Sequence, residues 1–351
     1  MKIRLSIFSH DISYTNHLVN FFNIHYFDKV EISRFTDIDA LSDFLARNGA
    51  DILLVDEETD TTALQVRGSV SIACLCEEKN NAASGDKVRI FKYQKAELIY
   101  KRILGLYASG DNRDPEDPEK AGRGASLQLF FPIHGGAGAS TVSGAYALRH
   151  TAGRKVLYLN LEVFGDCSSV FEGEGEFGLD DILYALKSRR GSLRLKIESS
   201  LRRTREGLFF YAPVQNPLSL LEMSREEWKR LLEELKGCGL FDEIVLDMDG
   251  YPSEWLSESM KEADGIWVVA DGTETSRSKL MQFQKYMEAM EKKGKDHILF
   301  KARIFYNKCK NGQVTPLAGC QLRIAGNCLE YTEEDKKAVM KKMAASGVFS
   351  D

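Results

Sequence analysis

One stretch of eight residues constrains this chain more than any other: His134-Gly135-Gly136-Ala137-Gly138-Ala139-Ser140-Thr141. It follows the apolar run Leu127 to Ile133 and precedes a helical pattern. A strand, a glycine-rich turn and a helix in that order read as a phosphate-binding loop. Glycines let the backbone wrap closely around phosphate oxygens, so that several N–H groups point at the anion. The helix opening near Ala139 adds its positive end. Ser140 stands where a hydroxyl coordinates Mg²⁺, and Thr141 can back it up. The plainer alternative is a strand-to-helix turn with no ligand. The glycines and hydroxyls of such a loop are present, but its lysines are not, so nucleotide binding is expected and rapid turnover is not.

The rest of the composition sets bounds. A chain of 351 residues has room for two domains, each with its own core. Hydrophobic content of 43% and charged content of 28% are those of a soluble globular protein. A formal charge of −5 gives no electrostatic reason to expect nucleic acid as a partner. No apolar stretch approaches the ~20 residues that span a bilayer. The chain opens on a strand-like pattern, Lys2 to Ser9, without a signal peptide, so a cytoplasmic location is expected. The seven cysteines are scattered without a Cys-x-x-Cys pair, and reduced thiols are expected. The six histidines show no metal-ligand spacing.

Three regions follow from the pattern: residues 1–107, a linker at 108–124 rich in Gly, Pro and acid, and residues 125–351. In the first, strands are expected at Ile3 to Phe8, Val30 to Ser33, Ile52 to Val55, Ser71 to Leu75 and Val88 to Phe91. Helices are expected at Ser13 to Phe22, Asp39 to Asn48 and Lys95 to Tyr107. In the last, strands are expected at Leu127 to Ile133, Val156 to Asn160, Leu208 to Tyr211, Ile244 to Asp247, Ile266 to Ala270 and Ile298 to Asn307. The longest helical pattern there runs from Leu218 to Lys236, with Leu221, Trp228, Leu231, Leu232 and Leu235 as its apolar stripe. Alternation of this kind argues for an α/β protein of two doubly wound parallel sheets. Ligands of such sheets bind beyond the carboxyl ends of the strands.

Two residues at strand ends extend the loop into a constellation. Phe241 to Asp247 is an apolar strand ending in an acid, and Asp247 can hold a metal through its water shell. Asn307 closes the strand Ile304-Phe305-Tyr306-Asn307, where an amide can pair with an adenine edge.

In order and spacing these residues resemble the deviant P-loop ATPases of the MinD and ParA superfamily, over about residues 126 to 345. The resemblance implies a nucleotide site of Gly135, Gly136, Ala137, Gly138, Ala139, Ser140, Thr141 and Asn307, with ATP and Mg²⁺ as cofactors and Ser140 and Asp247 toward the metal. It implies a homodimer around the nucleotide. His134 and Ala139 stand where that superfamily has lysines. Asn160-Leu161-Glu162 stands for its Asp-x-Asp, which leaves Glu162 to position water. Phe177 to Leu183 looks like the segment after its switch region, and Ala263 to Val269 like its next strand. Loss of the loop lysine removes a point charge from the transferring group. Arg277, just after a strand end, is a second candidate charge.

Residues 1 to 107 resemble a CheY-like, flavodoxin-like receiver domain. Asp51 to Asp56 matches the strand that ends in the phospho-acceptor, and Lys92 matches the lysine of the last strand. The metal-binding acid pair is missing: Ser9 and His10 lie there, with Asp11 close by. Cys74 or Cys76 replaces the switch hydroxyl. Such a site is expected to bind metal poorly and to leave Asp56 unphosphorylated. An atypical receiver, an acidic linker and a MinD-like ATPase together resemble the TadZ or CpaE pilus-assembly family. That implies an ATP-gated localisation scaffold for tight-adherence (Flp) pili, located in the cytoplasm or at a cell pole, with pilus-machinery proteins as partners. The alternatives are a turnover ATPase cycling on a membrane or DNA surface and a signalling protein controlled at Asp56. The segment Thr332 to Ser346 reads as a closing helix packed on the sheet rather than a membrane-surface helix.

Overall fold

Strands apolar on both faces, separated by amphipathic helices, build two parallel sheets. The structure, a computed structural model, describes residues 2–62, 64, 66–67, 69–78, 88–109, 124–189, 192–294, 297–309, 317–331 and 335–349. Most of the expected linker therefore lies outside the described residues. The chain divides into two compact units, Met1–Pro115 with Ser188–Ser200, and Glu116–Lys187 with Leu201–Asp351.

The first unit runs β1 (Ile3–Phe8), α1 (Ile12–His25), β2 (Val30–Phe35), α2 (Ile38–Asn48), β3 (Ile52–Asp56), β4 (Ser71–Cys76), β5 (Val88–Phe91) and α3 (Ala96–Ser109). Its sheet has the order β2-β1-β3-β4-β5, all parallel. This is the flavodoxin-like order, and its crevice lies beyond β1 and β3. Phe22, Ile99 and Ile103 pack under one face of the sheet. Leu41 and Leu45 pack under the other. The helices start where the sequence supplies caps: Asp11 accepts from the N–H of Tyr14, and Asp37 from that of Asp39.

The second unit begins with β6 (Ser126–Pro132), α4 (Ala139–His150), β7 (Val156–Asn160) and α5 (Leu179–Ser188). After α6 (Leu193–Ser199) come β8 (Arg202–Arg203), β9 (Phe209–Phe210), α7 (Leu218–Leu221), α8 (Arg225–Gly237), β10 (Glu243–Asp247) and α9 (Glu254–Glu262). Then follow β11 (Gly265–Ala270), α10 (Glu274–Gly294), α11 (Ile298–Lys301), β12 (Ala302–Cys309), β13 (Arg323–Leu329) and α12 (Lys336–Ala345). The sheet order is β13-β12-β11-β6-β10-β7-β9-β8, parallel except for β8 against β9. The loop-bearing strand β6 is central, between β11 and β10, whose residues are all buried. Phe130 and Trp267 stack at 5.2 Å in the core beneath α4. Helix α6 counts with the first unit, where Leu195 joins the apolar cluster and Glu198 pairs with Lys29 at 2.5 Å.

Three local expectations are corrected. The single helix expected at Leu218 to Lys236 is two, because Ser224 and Glu227 form a reciprocal capping box that starts α8 afresh. Leu221 is accordingly exposed, while Trp228, Leu231, Leu232 and Leu235 are core. The strand expected from Ile298 begins only at Ala302. The preceding residues make a helical turn whose Leu299 N–H bonds the Glu291 carboxylate at 2.7 Å. Strand β13 has no counterpart in the sequence reading. Helix α12 packs against α4, with Met340 over Gly144, and among the described residues no helix is long and apolar enough to cross a membrane.

The first residue of β10 is a buried acid. Glu243 accepts from Tyr146 Oη at 2.9 Å, pairs with His150 Nδ1 at 2.8 Å and accepts from Arg154 Nη1 at 3.2 Å. Burial alone raises its pKa, but the bonds from His150, Tyr146 and Arg154 outweigh that and hold it below the usual carboxylate range.

Candidate nucleotide site

The loop between β6 and α4 turns on glycines that take positive φ. Gly136 and Gly138 both sit at φ +84°. At Gly138 a Cβ would stand 2.4 Å from Asn307 Nδ2, so a side chain is barred by space as well as by backbone. Gly138 is also the N-cap of α4 and provides no side-chain cap. The leading N–H groups of that helix are therefore left for a ligand.

Asp247 ends β10 in register with Asn160 of β7 and Phe130 of β6. It is completely buried. Tyr158 Oη donates to its Oδ2 at 2.5 Å, whereas its Oδ1 has no hydrogen-bond partner. Burial pushes the Asp247 carboxyl up to about 7, and the nearby Glu162 charge adds to the rise. The Tyr158 and Ser140 hydroxyls oppose it. A buried acid in this state is stabilised by a cation. Asp247 and the Ser140 hydroxyl fit Mg²⁺ held partly through phosphate and water, as that ion prefers. An all-protein cage is not offered, since among the described residues no group of three or more His, Cys, Asp or Glu could hold a metal.

Around this centre the other expected residues take defined places. Asn160 Nδ2 donates to Glu162 Oε2 at 3.3 Å, and the Glu162 N–H donates to Asn160 Oδ1 at 3.2 Å. The Val163 N–H donates to Asp249 at 2.8 Å, joining the ends of β7 and β10. Asn307 is buried, with its Nδ2 donating to the Ala137 carbonyl at 2.9 Å. Its Oδ1 accepts from Lys308 N–H at 3.0 Å and from Cys328 Sγ at 2.9 Å. The amide thus braces the loop, with its oxygen and one Nδ2 hydrogen engaged there. His134 contacts Ser276 Oγ at 2.7 Å and Asp271 Oδ1 at 3.2 Å through Nε2. It is held by its own chain at the start of α10. Burial would raise the Asp271 carboxyl, but bonds from Ser276, Thr273 and His134 keep it far below the ordinary value. Arg277 is exposed on the first turn of α10.

Four contributors escaped the sequence reading. Tyr158 lies two residues before Asn160 and meets Asp247 only through strand pairing. Asp271 and Ser276 receive His134 across the sheet. Lys308 directly follows Asn307, and its Nζ donates to the Gly136 carbonyl at 2.8 Å.

The first unit has its own strand-end acid. Asp56 Oδ1 accepts from Ser9 Oγ at 2.9 Å and pairs with Lys92 Nζ at 3.1 Å. Its Oδ2 accepts from the His10 N–H at 2.9 Å. Lys92 is buried; desolvation lowers its pKa, yet the bond and charge of Asp56 more than offset this and raise it. Asp11 is occupied as the cap of α1. Both oxygens of Asp56 and one of Asp11 are thus taken by their own chain, which leaves little to draw a metal ion.

Comparison with known proteins places both units. Residues 1–108 match the family described as TadZ-like, receiver domain. No curated protein matches the chain. Among solved structures the chain is similar to a ParA family ATPase from Chlorobium tepidum TLS. That match has a TM-score of 0.51 and 15% identity, and covers 64% of this chain and 93% of that one. A further match is a chain of the MinC:MinD cell division protein complex from Aquifex aeolicus, with a TM-score of 0.47, 18% identity and coverage of 62% and 86%. Another is the septum site-determining protein MinD complexed with Mg-ADP from Pyrococcus horikoshii OT3, with a TM-score of 0.44, 13% identity and coverage of 63% and 94%. Residues 1–108 thus match the TadZ-like receiver-domain family, and the larger sheet has the fold of the ParA family ATPase.

Proposed function

We propose that the second unit binds Mg-ATP at His134 to Thr141 and that the chain acts as a nucleotide-gated localisation and assembly factor for tight-adherence pili. In this reading residues 1–107 are an unphosphorylated receiver-like docking module, 108–124 a linker and 125–351 the nucleotide-binding part. Two copies pair around the nucleotide, pilus-machinery proteins are the partners, and the site of action is the cytoplasm or a cell pole.

One observation carries the nucleotide reading: a completely buried aspartate with an oxygen lacking a partner, beside the hydroxyl of an uncapped helix start. The cost of burying an acid in that condition is recovered when a cation and phosphate arrive. Bound Mg²⁺ would supply charge neutralisation for the phosphate oxygens. The loop N–H groups would orient the phosphates, and Ser140 and Asp247 would hold the ion.

Turnover is slow in this proposal. Asn160 cannot take a proton, and Glu162 is engaged with it. His134 is tied within its own chain, so a trans role across a dimer forms no part of the proposal.

Calorimetric titration with ATP and ADP, with and without Mg²⁺, tests the binding. Ser140→Ala is expected to weaken the Mg-dependent affinity about tenfold, the worth of a hydrogen bond near charge. No heat at millimolar ATP would reject the reading. Phosphate release compared with Glu162→Ala tests the slow-turnover part, and turnover near ~1 s⁻¹ abolished by that variant would reject it. Sedimentation with and without ATP tests the pairing; a monomer at high concentration in both conditions removes it.

A further inference from the structure

A nucleotide polyphosphate carries several negative charges, and the loop His134 to Thr141 offers no free cation of its own. Its one basic residue, His134, is bound to Asp271 and Ser276. A cation that reaches the loop's backbone comes from another element. Lys308, at the end of β12, lies across the loop, with Nζ on the Gly136 carbonyl at 2.8 Å. Its Cε is 3.8 Å from where a Gly138 Cβ would be.

The placement is built rather than incidental. Lys308 takes φ +57°, a left-handed conformation that costs a long side chain energy. Its N–H is held by Asn307 Oδ1 at 3.0 Å, and the same Asn307 donates to the Ala137 carbonyl at 2.9 Å. Cys328 Sγ adds a third bond to that amide at 2.9 Å. The buried Asn307 therefore locks the strained residue and the loop to each other. Among the described residues no carboxylate lies within ion-pair distance of Lys308, which is exposed. Its charge is spent only on a neutral carbonyl.

We propose that Lys308 is the phosphate-binding cation of this loop, delivered in cis from β12, and that it engages the terminal phosphates of a nucleoside di- or triphosphate. The inference rests on the nucleotide reading above and assigns the residue that recognises the phosphate tail. On binding, Nζ exchanges the Gly136 carbonyl for a phosphate oxygen. A charge-assisted bond replaces a charge-to-dipole one and is the stronger of the two. No covalent step is involved.

The test is calorimetry on the full chain with Mg²⁺, using ATP, adenosine and inorganic tripolyphosphate as probes. The proteins are wild type, Lys308→Met and Lys308→Arg, each first checked for an unchanged melting transition. Lys308→Met is expected to weaken ATP and tripolyphosphate about 10- to 100-fold while leaving adenosine within about twofold. Lys308→Arg keeps the charge and is expected to stay within about fivefold for all three. If wild type binds ATP and Lys308→Met binds it equally well, this inference is overturned and the nucleotide reading stands. Equal losses for ATP and adenosine in both variants overturn it too, because they mark a brace for the loop rather than a phosphate contact. If wild type binds tripolyphosphate but not ATP better than tripolyphosphate, and Lys308→Met loses it, the cation role stands and the nucleoside part of the reading falls. If wild type binds none of the probes, both fall.

Discussion

Each unit ends a central parallel strand with an aspartate, and the two aspartates are in opposite conditions. Asp56 has both oxygens engaged, by Ser9, Lys92 and the His10 N–H. Asp247 is more deeply buried, yet one of its oxygens has no hydrogen-bond partner. A carboxylate satisfied by its own protein stabilises the fold and has little left to offer a ligand. One left short costs the fold and gains from a cation. The same residue type at the same kind of position thus serves structure in one unit and is suited to binding in the other.

The sharpest way to break this comparison is Asp247→Asn. Mg-dependent ATP affinity is expected to fall about 100-fold, or ~2.7 kcal/mol, measured by calorimetry. The ligand-free protein is expected to gain stability above pH 8, by roughly 2–4 kcal/mol, because a buried charge is removed. A ligand-free variant less stable than wild type would mean that Asp247 is as satisfied as Asp56.

The second variant should do the reverse. Asp56→Asn strips the nearer of two carboxylate partners from buried Lys92, leaving Glu77 at 3.7 Å, and is expected to cost about 1–3 kcal/mol in urea unfolding. A neutral result would place Asp56 with the binding acids.

A smaller effect is expected in the pH profile. Asp247 has a folded pKa of about 7 against 3.8 for the ordinary residue. A raised folded pKa means that the folded state holds the proton more tightly. Its contribution to stability is complete below about pH 4 and is lost as pH rises through 7. The difference in melting temperature between wild type and Asp247→Asn should therefore widen from pH 4 to 8, and Mg-ATP should narrow it. Lys92 acts at the other end of the scale. Its raised pKa stabilises the fold up to the ordinary lysine range, and that contribution fades at still higher pH. The smallest effect is a null one. Acetyl phosphate with Mg²⁺ should leave no adduct at Asp56 by intact mass, and an adduct there would show that the Ser9 and Lys92 bonds open readily.

The two parallel sheets could be read from the sequence because alternating periodicity is local, and the glycine loop because its neighbours in sequence are its neighbours in space. Of what escaped reading, one break is local and the rest depends on distant residues. The break before Ser224 competes with a continuous apolar stripe from Leu221 to Leu235, and only the capping box decides it. Leu195 on α6 looks like any apolar helix residue, and nothing beside it announces that it joins a cluster built from residues 3 to 107. His134 reads as a residue facing a ligand until β11 brings Asp271 alongside. Lys308 reads as an ordinary basic residue after a strand; its value comes from a turn 172 positions away.

Strand β10 carries a tension between its ends. Its first residue, Glu243, is gripped by three partners, and its last, Asp247, lies four steps on, about 13 Å at ~3.3 Å per residue. The strand works like a beam fixed at its base and held along both sides: the anchor and the ladders to β6 and β7 together locate the far tip. Acid reaches the two ends of the strand in turn. Asp247 takes up its proton as pH falls through about 7, and only below the ordinary carboxylate range does Glu243 follow and the grip at the base of β10 loosen.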